Sequence, residues 1–188
     1  MSTSTHQRHD AVVPSAPADP RSEGVAPEDA DPGKLSRRRG PVLMVSTQGG
    51  HLAHLVALRS WWAPLERLWV CPETPDVADR LAGERVVPSY SPTTRNLPNM
   101  LRNWRLALRV LRRERPSLVV SAGAGVAVPF FVAAWLLRIP TVFIEVYDRV
   151  DTPTMTGRLC GPFTTRRIVQ WESQLEFYPD ARLVGPIL

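Results

Sequence analysis

The residue types best suited to chemistry lie in a polar stretch that follows an apolar run. The run Val142 to Ile144 leads to Glu145, and the segment after it carries further acids, an arginine and hydroxyls: Asp148, Arg149, Asp151, Thr152, Thr154 and Thr156. In open α/β sheets, ligands bind outside the carboxyl ends of the strands. A carboxylate at such an end, followed by an arginine and hydroxyls, indicates a site for a polar substrate. The alternative is a surface loop built from ordinary turn residues.

A second candidate site lies at a glycine turn after the first apolar run. Gly49 and Gly50 would let the backbone approach a ligand closely, and the helix that starts there could receive an anion on its free N–H groups. His51 begins this helix, and an imidazole facing the crevice is a plausible general base. His54 is spaced to share a metal with His51, but no third ligand is evident. We therefore predict no metal and interpret His54 as a packed helix residue.

Another glycine turn contains Gly123 and Gly125, which we also expect to shape the crevice. It departs from the dinucleotide-binding pattern G-x-G-x-x-G because Val128 fills the last glycine position. Neither glycine turn has the Gly-Lys-Ser/Thr ending of a phosphate-binding P-loop. We predict no cofactor. A nucleotide-binding oxidoreductase stays as an alternative, because Glu73 lies near the end of the second predicted strand, where a ribose-binding acid would stand.

Short apolar runs alternate with helical patterns from Pro41 onwards, which predicts a parallel sheet covered on both faces. The expected fold is α/β: a single Rossmann-like doubly wound domain. The predicted strands are Val42–Ser46, Leu68–Cys71, Arg85–Val87, Leu118–Ser121, Thr141–Glu145, Ile168–Trp171 and Leu183–Gly185. The predicted helices are His51–Trp62, Val77–Ala82, Leu97–Arg115, an apolar helix ending near Arg138, and Thr156–Gly161.

Composition separates a tail from this domain. Residues 1–40 are rich in proline and have no aromatic residue, so we expect a disordered tail there and the domain at 41–188. The formal net charge of the 188 residues is +5. The tail holds equal numbers of acids and bases, so the surplus belongs to the domain and suits an anionic partner. The two cysteines, Cys71 and Cys160, are too few for a disulfide framework, which favours reduced thiols.

The helix predicted at 97–115 is amphipathic. Its apolar face comprises Leu97, Met100, Leu101, Trp104, Leu108 and Leu111, beside arginines that include Arg102, Arg105, Arg109 and Arg112. Such helices often lie on anionic membrane surfaces; alternatively, the apolar face packs on the sheet. The aromatics are not interleaved with the arginines, so we expect no nucleic-acid binding. The uncharged stretch at residues 122–137 is too short to span a bilayer, so we expect no transmembrane helix.

Several of these segments occur in the same order in one family. They are Ser46-Thr-Gln-Gly-Gly-His-Leu52, Val120-Ser-Ala-Gly-Ala-Gly125, Phe143-Ile-Glu145, Thr154-Met-Thr-Gly-Arg158 and Ile168-Val-Gln-Trp171. The chain resembles the acceptor-side, membrane-associated subunit of split UDP-sugar glycosyltransferases of oligosaccharide, capsule and exopolysaccharide biosynthesis. It is also similar to the N-terminal half of the peptidoglycan N-acetylglucosamine transferase. The resemblance covers about residues 41–188, and its section from Glu145 to Trp171 is the most specific.

The resemblance implies half of a GT-B enzyme. A small partner subunit would bind the UDP-sugar, while this chain would bind a polyprenyl-diphosphate-linked acceptor and the membrane. His51 or Glu145 would act as base in an inverting transfer, and Arg149 would meet the lipid diphosphate. The expected location is the cytoplasmic face of the plasma membrane. The family's usual aromatic after Glu-Ser is replaced here by Val146-Tyr147-Asp148. A non-catalytic scaffold that recruits the true transferase is the alternative function.

Overall fold

The computed structural model describes residues 40–93 and 96–187. The predicted tail, apart from Gly40, lies outside the described residues. Within them, seven parallel strands form one sheet in the order β3-β2-β1-β4-β5-β6-β7. From the first strand, the second and third strands extend the sheet in one direction, and the fourth to seventh strands extend it in the other direction. This is the doubly wound order, and its switch point lies between β1 and β4.

The strands are short, and those at the centre of the sheet are mostly buried, as continuous apolar runs in a parallel sheet should be. They are β1 (Val42–Val45), β2 (Arg67–Pro72), β3 (Val86–Ser89), β4 (Leu118–Ser121), β5 (Thr141–Ile144), β6 (Arg166–Val169) and β7 (Arg182–Leu183). Val45 is in register with Ser121, and Ser121 with Phe143. The carboxyl ends of β1, β4 and β5 therefore meet at one edge. The sequence placed β6 two residues too late because Arg166 and Arg167 at its start hid the strand pattern.

Helices cover both faces of the sheet. They are α1 (Gly50–Ala57), α2 (Arg59–Trp62), α3 (Pro75–Arg80), α4 (Leu97–Glu114), α5 (Ala127–Leu136) and α6 (Met155–Cys160). Core residues of α1, α2 and α3 pack in one cluster, and those of α4, α5 and α6 pack in another on the opposite face. The single helix predicted from His51 to Trp62 is divided in two at Leu58. The predicted fold class is confirmed.

The face of α4 that packs on the sheet differs from the apolar face seen in the sequence. The buried residues are Asn99, Asn103, Leu106, Ala107, Val110 and Leu111. Asn103 belongs in this set because its amide exchanges two hydrogen bonds of 2.9 Å with the backbone of Tyr90. The expectation that the predicted apolar face packs on the sheet is therefore wrong for its N-terminal part. There, Leu97, Met100 and Leu101 are exposed and Trp104 is half-buried.

Exposed apolar side chains continue onto the two neighbouring helices of this layer. Helix α4 packs on α5, and α5 packs on α6. Their exposed apolar residues, which we call the outer apolar band, are Leu97, Met100, Leu101, Trp135, Leu136, Met155 and Leu159. The helix α5 has no polar residue, so its outward side is apolar as well as its core side. None of the helices within residues 40–93 and 96–187 is long and apolar enough to cross a membrane.

Candidate functional site

His51 lies at the switch point of the sheet. It stands in the first turn of α1, and its Nδ1 is 3.0 Å from the carbonyl oxygen of Ala122, just after β4. A carbonyl only accepts hydrogen bonds, so Nδ1 must carry the proton and donate it. In the neutral ring, Nε2 is therefore unprotonated and carries a lone pair. Nε2 has no hydrogen-bond partner among the described residues. A partly exposed imidazole held this way can accept a proton from a bound hydroxyl.

The glycine turn after β4 makes room for this imidazole. Gly123 has φ +111°, and a Cβ there would stand 3.3 Å from Nδ1 and Cε1 of His51. A side chain at this position would therefore press on the ring and would also strain the backbone. Gly125 is similarly enclosed, since a Cβ would lie 3.0 Å from Oγ1 of Thr93. Both predicted glycines thus permit close packing at the crevice.

The first glycine turn already has an acidic neighbour. The N–H of Gly49, at φ +78°, donates a 2.9 Å hydrogen bond to Oδ2 of Asp76 from α3. The hydrogen bond from Arg80, and then the one from Gly49, hold the pKa of Asp76 below its ordinary value. Gly50 is exposed and has open space around it. The turn therefore presents a carboxylate beside its free N–H groups, which weakens the prediction of an anion at this turn.

Glu145 is fully buried, unlike His51. Its Oε2 accepts a 2.9 Å hydrogen bond from the hydroxyl of Tyr178, and its Oε1 is buried with no partner among the described residues. Burial, and then the charge of Glu145, raise the pKa of Tyr178. Helix α6 approaches so closely that a Cβ on Gly157 would come within 2.5 Å of Oε2. This enclosure favours a positioning role for Glu145 over direct contact with a substrate.

Arg167 holds this buried cluster together. Its guanidinium lies 3.8 Å from the centre of the Tyr178 ring and donates a 3.0 Å hydrogen bond to the carbonyl of Gly157. Cys160 also faces the cluster, and burial raises its pKa to about 12; the charge of Arg167 opposes this rise and that of Glu145 adds to it. Both cysteines are free and buried.

Side chains from residues 170–174 fix the β5 loop, which we define as residues 145–150. Its carbonyls accept hydrogen bonds as follows: Glu145 from Gln170, Val146 and Arg149 from Gln174, Tyr147 from Trp171, and Val150 from Ser173. These are five of the six carbonyls in the loop. The loop is thus rigidly placed at the carboxyl edge, although it has no regular secondary structure.

His54 connects this loop to the helix that carries His51. Its Nδ1 lies 2.8 Å from the carbonyl of Gly50, and its Nε2 accepts a 3.2 Å hydrogen bond from the N–H of Tyr147. Since both ring nitrogens are used and the ring is buried, the interpretation of His54 as a packed residue is confirmed. No group of three or more potential metal ligands occurs in the described part of the chain.

Of the remaining predicted binding residues, some are exposed to solvent and others form hydrogen bonds within the protein. Asp148 and Arg149 are exposed on the β5 loop, where they are free to meet a ligand. Thr154 is the N-cap of α6, and its hydroxyl accepts a 2.9 Å hydrogen bond from the N–H of Gly157. Thr156 is half-buried in the first turn of α6. Thr154 is therefore already engaged in structure.

The predicted membrane residues lie beside the outer apolar band. Arg105, Arg109 and Arg112 are exposed, with no ion pair within the described residues. Arg102 is exposed too, and donates to Asn99. At 100° per residue, these four follow Leu97, Leu101 and Leu108 around the helix. On α4, the arginines and these leucines thus form adjoining strips.

Sequence reasoning missed the residues that hold the site. The sequence patterns indicate no role for Gln170, Gln174 or Tyr178, and they point to Tyr147 and Trp171 only through the family resemblance. A signal was present: Gln170 is a polar residue at the end of an apolar strand, where a buried amide must find partners. The sequence could not show that those partners are the carbonyls of the β5 loop.

Comparison with known proteins agrees with this architecture. The family model described as "Oligosaccharide biosynthesis protein Alg14 like" matches residues 88–187, more than half of the chain. The chain belongs to this Alg14-like family. The human UDP-N-acetylglucosamine transferase subunit ALG14 is 33% identical over 89 residues, which is 44% of this chain and 41% of that protein. The matched part thus spans about two fifths of that relative's length.

Bacterial proteins extend the comparison. The Clostridium botulinum UDP-N-acetylglucosamine–N-acetylmuramyl-(pentapeptide) pyrophosphoryl-undecaprenol N-acetylglucosamine transferase is 32% identical over 81 residues, 43% of this chain and 22% of that enzyme. The crystal structure of Acinetobacter baumannii MurG gives a TM-score of 0.57 at 19% identity, covering 70% of this chain and 42% of MurG. The UDP-N-acetylglucosamine 2-epimerase of Rickettsia bellii gives 0.60 at 14% identity, covering 79% and 45%. The structures confirm the fold, and the predicted resemblance is confirmed.

Proposed function

We propose that this Alg14-like chain is the acceptor-side subunit of a two-chain glycosyltransferase. The enzyme would transfer N-acetylglucosamine, or a related hexose, from a UDP-sugar to a polyprenyl-diphosphate-linked saccharide in polysaccharide biosynthesis. The observation that carries the proposal is His51 at the switch point, with Nδ1 bonded to Ala122 and Nε2 open. Family membership supports this class of reaction, and the hydrogen bond of Nδ1 supports His51 as the base.

The chemistry asked of this chain is the removal of one proton. Nε2 of His51 accepts the proton of the acceptor hydroxyl as its oxygen attacks the anomeric carbon of the donor sugar. The bond from that carbon to UDP breaks, the configuration inverts, and UDP leaves with the bonding electrons. The carbonyl of Ala122 keeps Nδ1 protonated and stabilises the imidazolium that forms. Glu145, being buried, positions the β5 loop and α6 in this scheme.

We propose that a second chain supplies the other half of the cleft, since the described part of this chain forms one Rossmann-like sheet. A GT-B enzyme closes its cleft between two such units, and the matched region covers less than half of MurG. The UDP-sugar would bind mainly to a small partner subunit. A helix N-terminus on that partner could stabilise the departing diphosphate, so the proposal requires neither a metal nor a cofactor from this chain.

The outer apolar band and the arginines of α4 support attachment to a membrane surface. Apolar side chains can enter the headgroup region while neighbouring arginines meet anionic lipid headgroups. A lipid-linked acceptor resides in the same surface, so attachment would bring the crevice to its substrate. We propose peripheral attachment at the cytoplasmic face of the plasma membrane.

Reconstitution tests the proposal. Residues 1–188 alone should show no transfer from UDP-N-acetylglucosamine to a polyprenyl-diphosphate-linked saccharide. Transfer should appear when the chain is co-expressed with a small protein forming a second Rossmann-like half, sought in the neighbouring reading frame. Transfer by the chain alone would contradict the two-chain proposal. Transfer by the partner alone would reduce this chain to a scaffold.

A further inference from the structure

Tyr147 is an exposed aromatic residue on a loop whose backbone is held on both sides. Its side chain is 43% exposed. Its N–H donates to His54, and its carbonyl accepts a 2.7 Å hydrogen bond from Nε1 of Trp171. An apolar ring exposed on a fully anchored backbone has little conformational entropy to lose when a ligand binds. Such preorganisation is a feature of binding sites.

A second ring stands beside it. The ring centres of Tyr147 and Trp171 are 6.0 Å apart, with planes at 42°. Trp171 is half-buried, and the imidazole of His54 lies 6.2 Å from Tyr147 on the buried side. Asp148 and Arg149, both exposed, follow Tyr147 directly. The surface thus combines two aromatic rings with a carboxylate and a guanidinium, and we call it the aromatic platform.

We infer that the aromatic platform binds a sugar ring of the acceptor. A pyranose has an apolar C–H face and a rim of hydroxyls. The negative face of an aromatic ring attracts the partially positive C–H groups, while Asp148 and Arg149 can accept from and donate to the hydroxyls. This mixture suits a saccharide better than a protein surface, which would bring an apolar core of its own.

The position of the platform suits the acceptor in particular. His54 bonds to Gly50, which precedes His51, and to Tyr147, so one side chain fixes the spacing between the proposed base and the platform. A sugar stacked on Tyr147 would be held at the same carboxyl edge as His51. The assignment to the acceptor rests on the proposed function, whereas sugar binding itself does not.

Direct binding to the full chain tests the inference without any partner. N-acetylglucosamine, glucose and galactose serve as probes in saturation-transfer NMR, which shows which sugar protons contact the protein. We expect the strongest transfer to the C–H protons of one ring face. Tyr147→Leu should weaken binding about two- to tenfold because stacking of this kind contributes roughly 0.5–1.5 kcal/mol beyond burial. Tyr147→Phe, which keeps the ring, should bind as the wild type does.

The two variants at Tyr147 distinguish a direct contact between its ring and the sugar from a purely structural role of the residue. The hydrogen bonds that fix residue 147 use its backbone, so both variants keep them, and Trp135→Leu on the outer apolar band is the control for an exposed ring elsewhere. Equal binding by wild type and Tyr147→Leu, or no sugar binding by the wild type, would overturn the inference. In the assembled enzyme, Tyr147→Leu should raise KM for the acceptor with kcat little changed. Lack of transfer by an assembly that still binds sugar would refute the proposed function and leave the platform standing.

Discussion

The imidazole of His54 joins the N–H of Tyr147 to the carbonyl of Gly50, at 3.2 Å and 2.8 Å. One buried side chain therefore connects the first turn of α1 to the β5 loop. His54 and Tyr147 lie 93 residues apart in sequence, and their segments are neighbours only because β1, β4 and β5 end at the same edge. The site depends on this connection, because His51 stands on one segment and the exposed Asp148 and Arg149 stand on the other.

Replacing His51 tests the proposed base. In the assembled complex, His51→Ala should lower turnover by at least about a hundredfold, since a positioned general base contributes about 10²–10⁴-fold. His51→Asn is the matched variant: its amide can still donate toward the carbonyl of Ala122 but offers no basic nitrogen. We expect the same loss in both, measured as kcat with UDP-sugar binding unchanged. Near-normal turnover in His51→Asn would assign His51 a positioning role.

Gly157 should tolerate alanine poorly even though it lies within a helix. Alanine normally stabilises a helix relative to glycine by up to about 1 kcal/mol. Here its Cβ would meet Oε2 of Glu145 at 2.5 Å and the Tyr178 hydroxyl at 2.8 Å. We expect a loss of about 1–3 kcal/mol in the free energy of unfolding, as for overpacking. Denaturant unfolding measures it, with Gly50→Ala, which meets nothing within 4 Å, as the control. Equal stability of the two variants would show that the cluster can open.

Much of this arrangement follows from the sequence, and some of it does not. The strand runs, the glycine turns and His51 at a helix start could be predicted because they are local patterns. The face of α4 that packs on the sheet could not be predicted in this way. Asn99 and Asn103 look like solvent residues until the segment at Tyr90 and Pro92 is found to supply their partners. The burial of Glu145 was missed for a similar reason, since Tyr178 comes 33 residues later.

Membrane binding should depend on the arginines of α4. Changing Arg102, Arg105, Arg109 and Arg112 to Gln should weaken binding to vesicles containing anionic phospholipid, by about 1 kcal/mol for each charge near the surface. Binding to neutral vesicles should change little. The control is a pair of exposed arginines elsewhere, Arg59 and Arg182, also changed to Gln. Vesicle flotation measures the binding. If the quadruple variant binds as tightly as the control, the arginine strip is only a solvated face.

The apolar strip beside those arginines should contribute separately. Leu97, Leu101 and Trp135 are exposed by 67%, 59% and 55%, so changing them to Ser removes little core packing. We expect the triple variant to lose binding to neutral and anionic vesicles alike, because insertion of apolar groups does not depend on lipid charge. Its thermal unfolding should match that of the wild type. Unchanged vesicle binding would show that these apolar residues do not contribute and that the membrane contact is electrostatic.

Burial of Tyr178 beside Glu145 predicts that the phenol of Tyr178 has a raised pKa. Burial is the largest cause of its raised pKa and the charge of Glu145 the next, so the phenol should ionise well above the ordinary value of 10.0. The resulting stability is fully present below pH 10 and is lost as the pH rises through the folded-state value. Tyrosinate absorbance measures the titration, and Tyr178→Phe identifies the phenol. In Glu145→Gln the titration should move down yet stay above 10.0, because burial remains. No movement in Glu145→Gln would mean that the carboxylate does not face Tyr178 in solution.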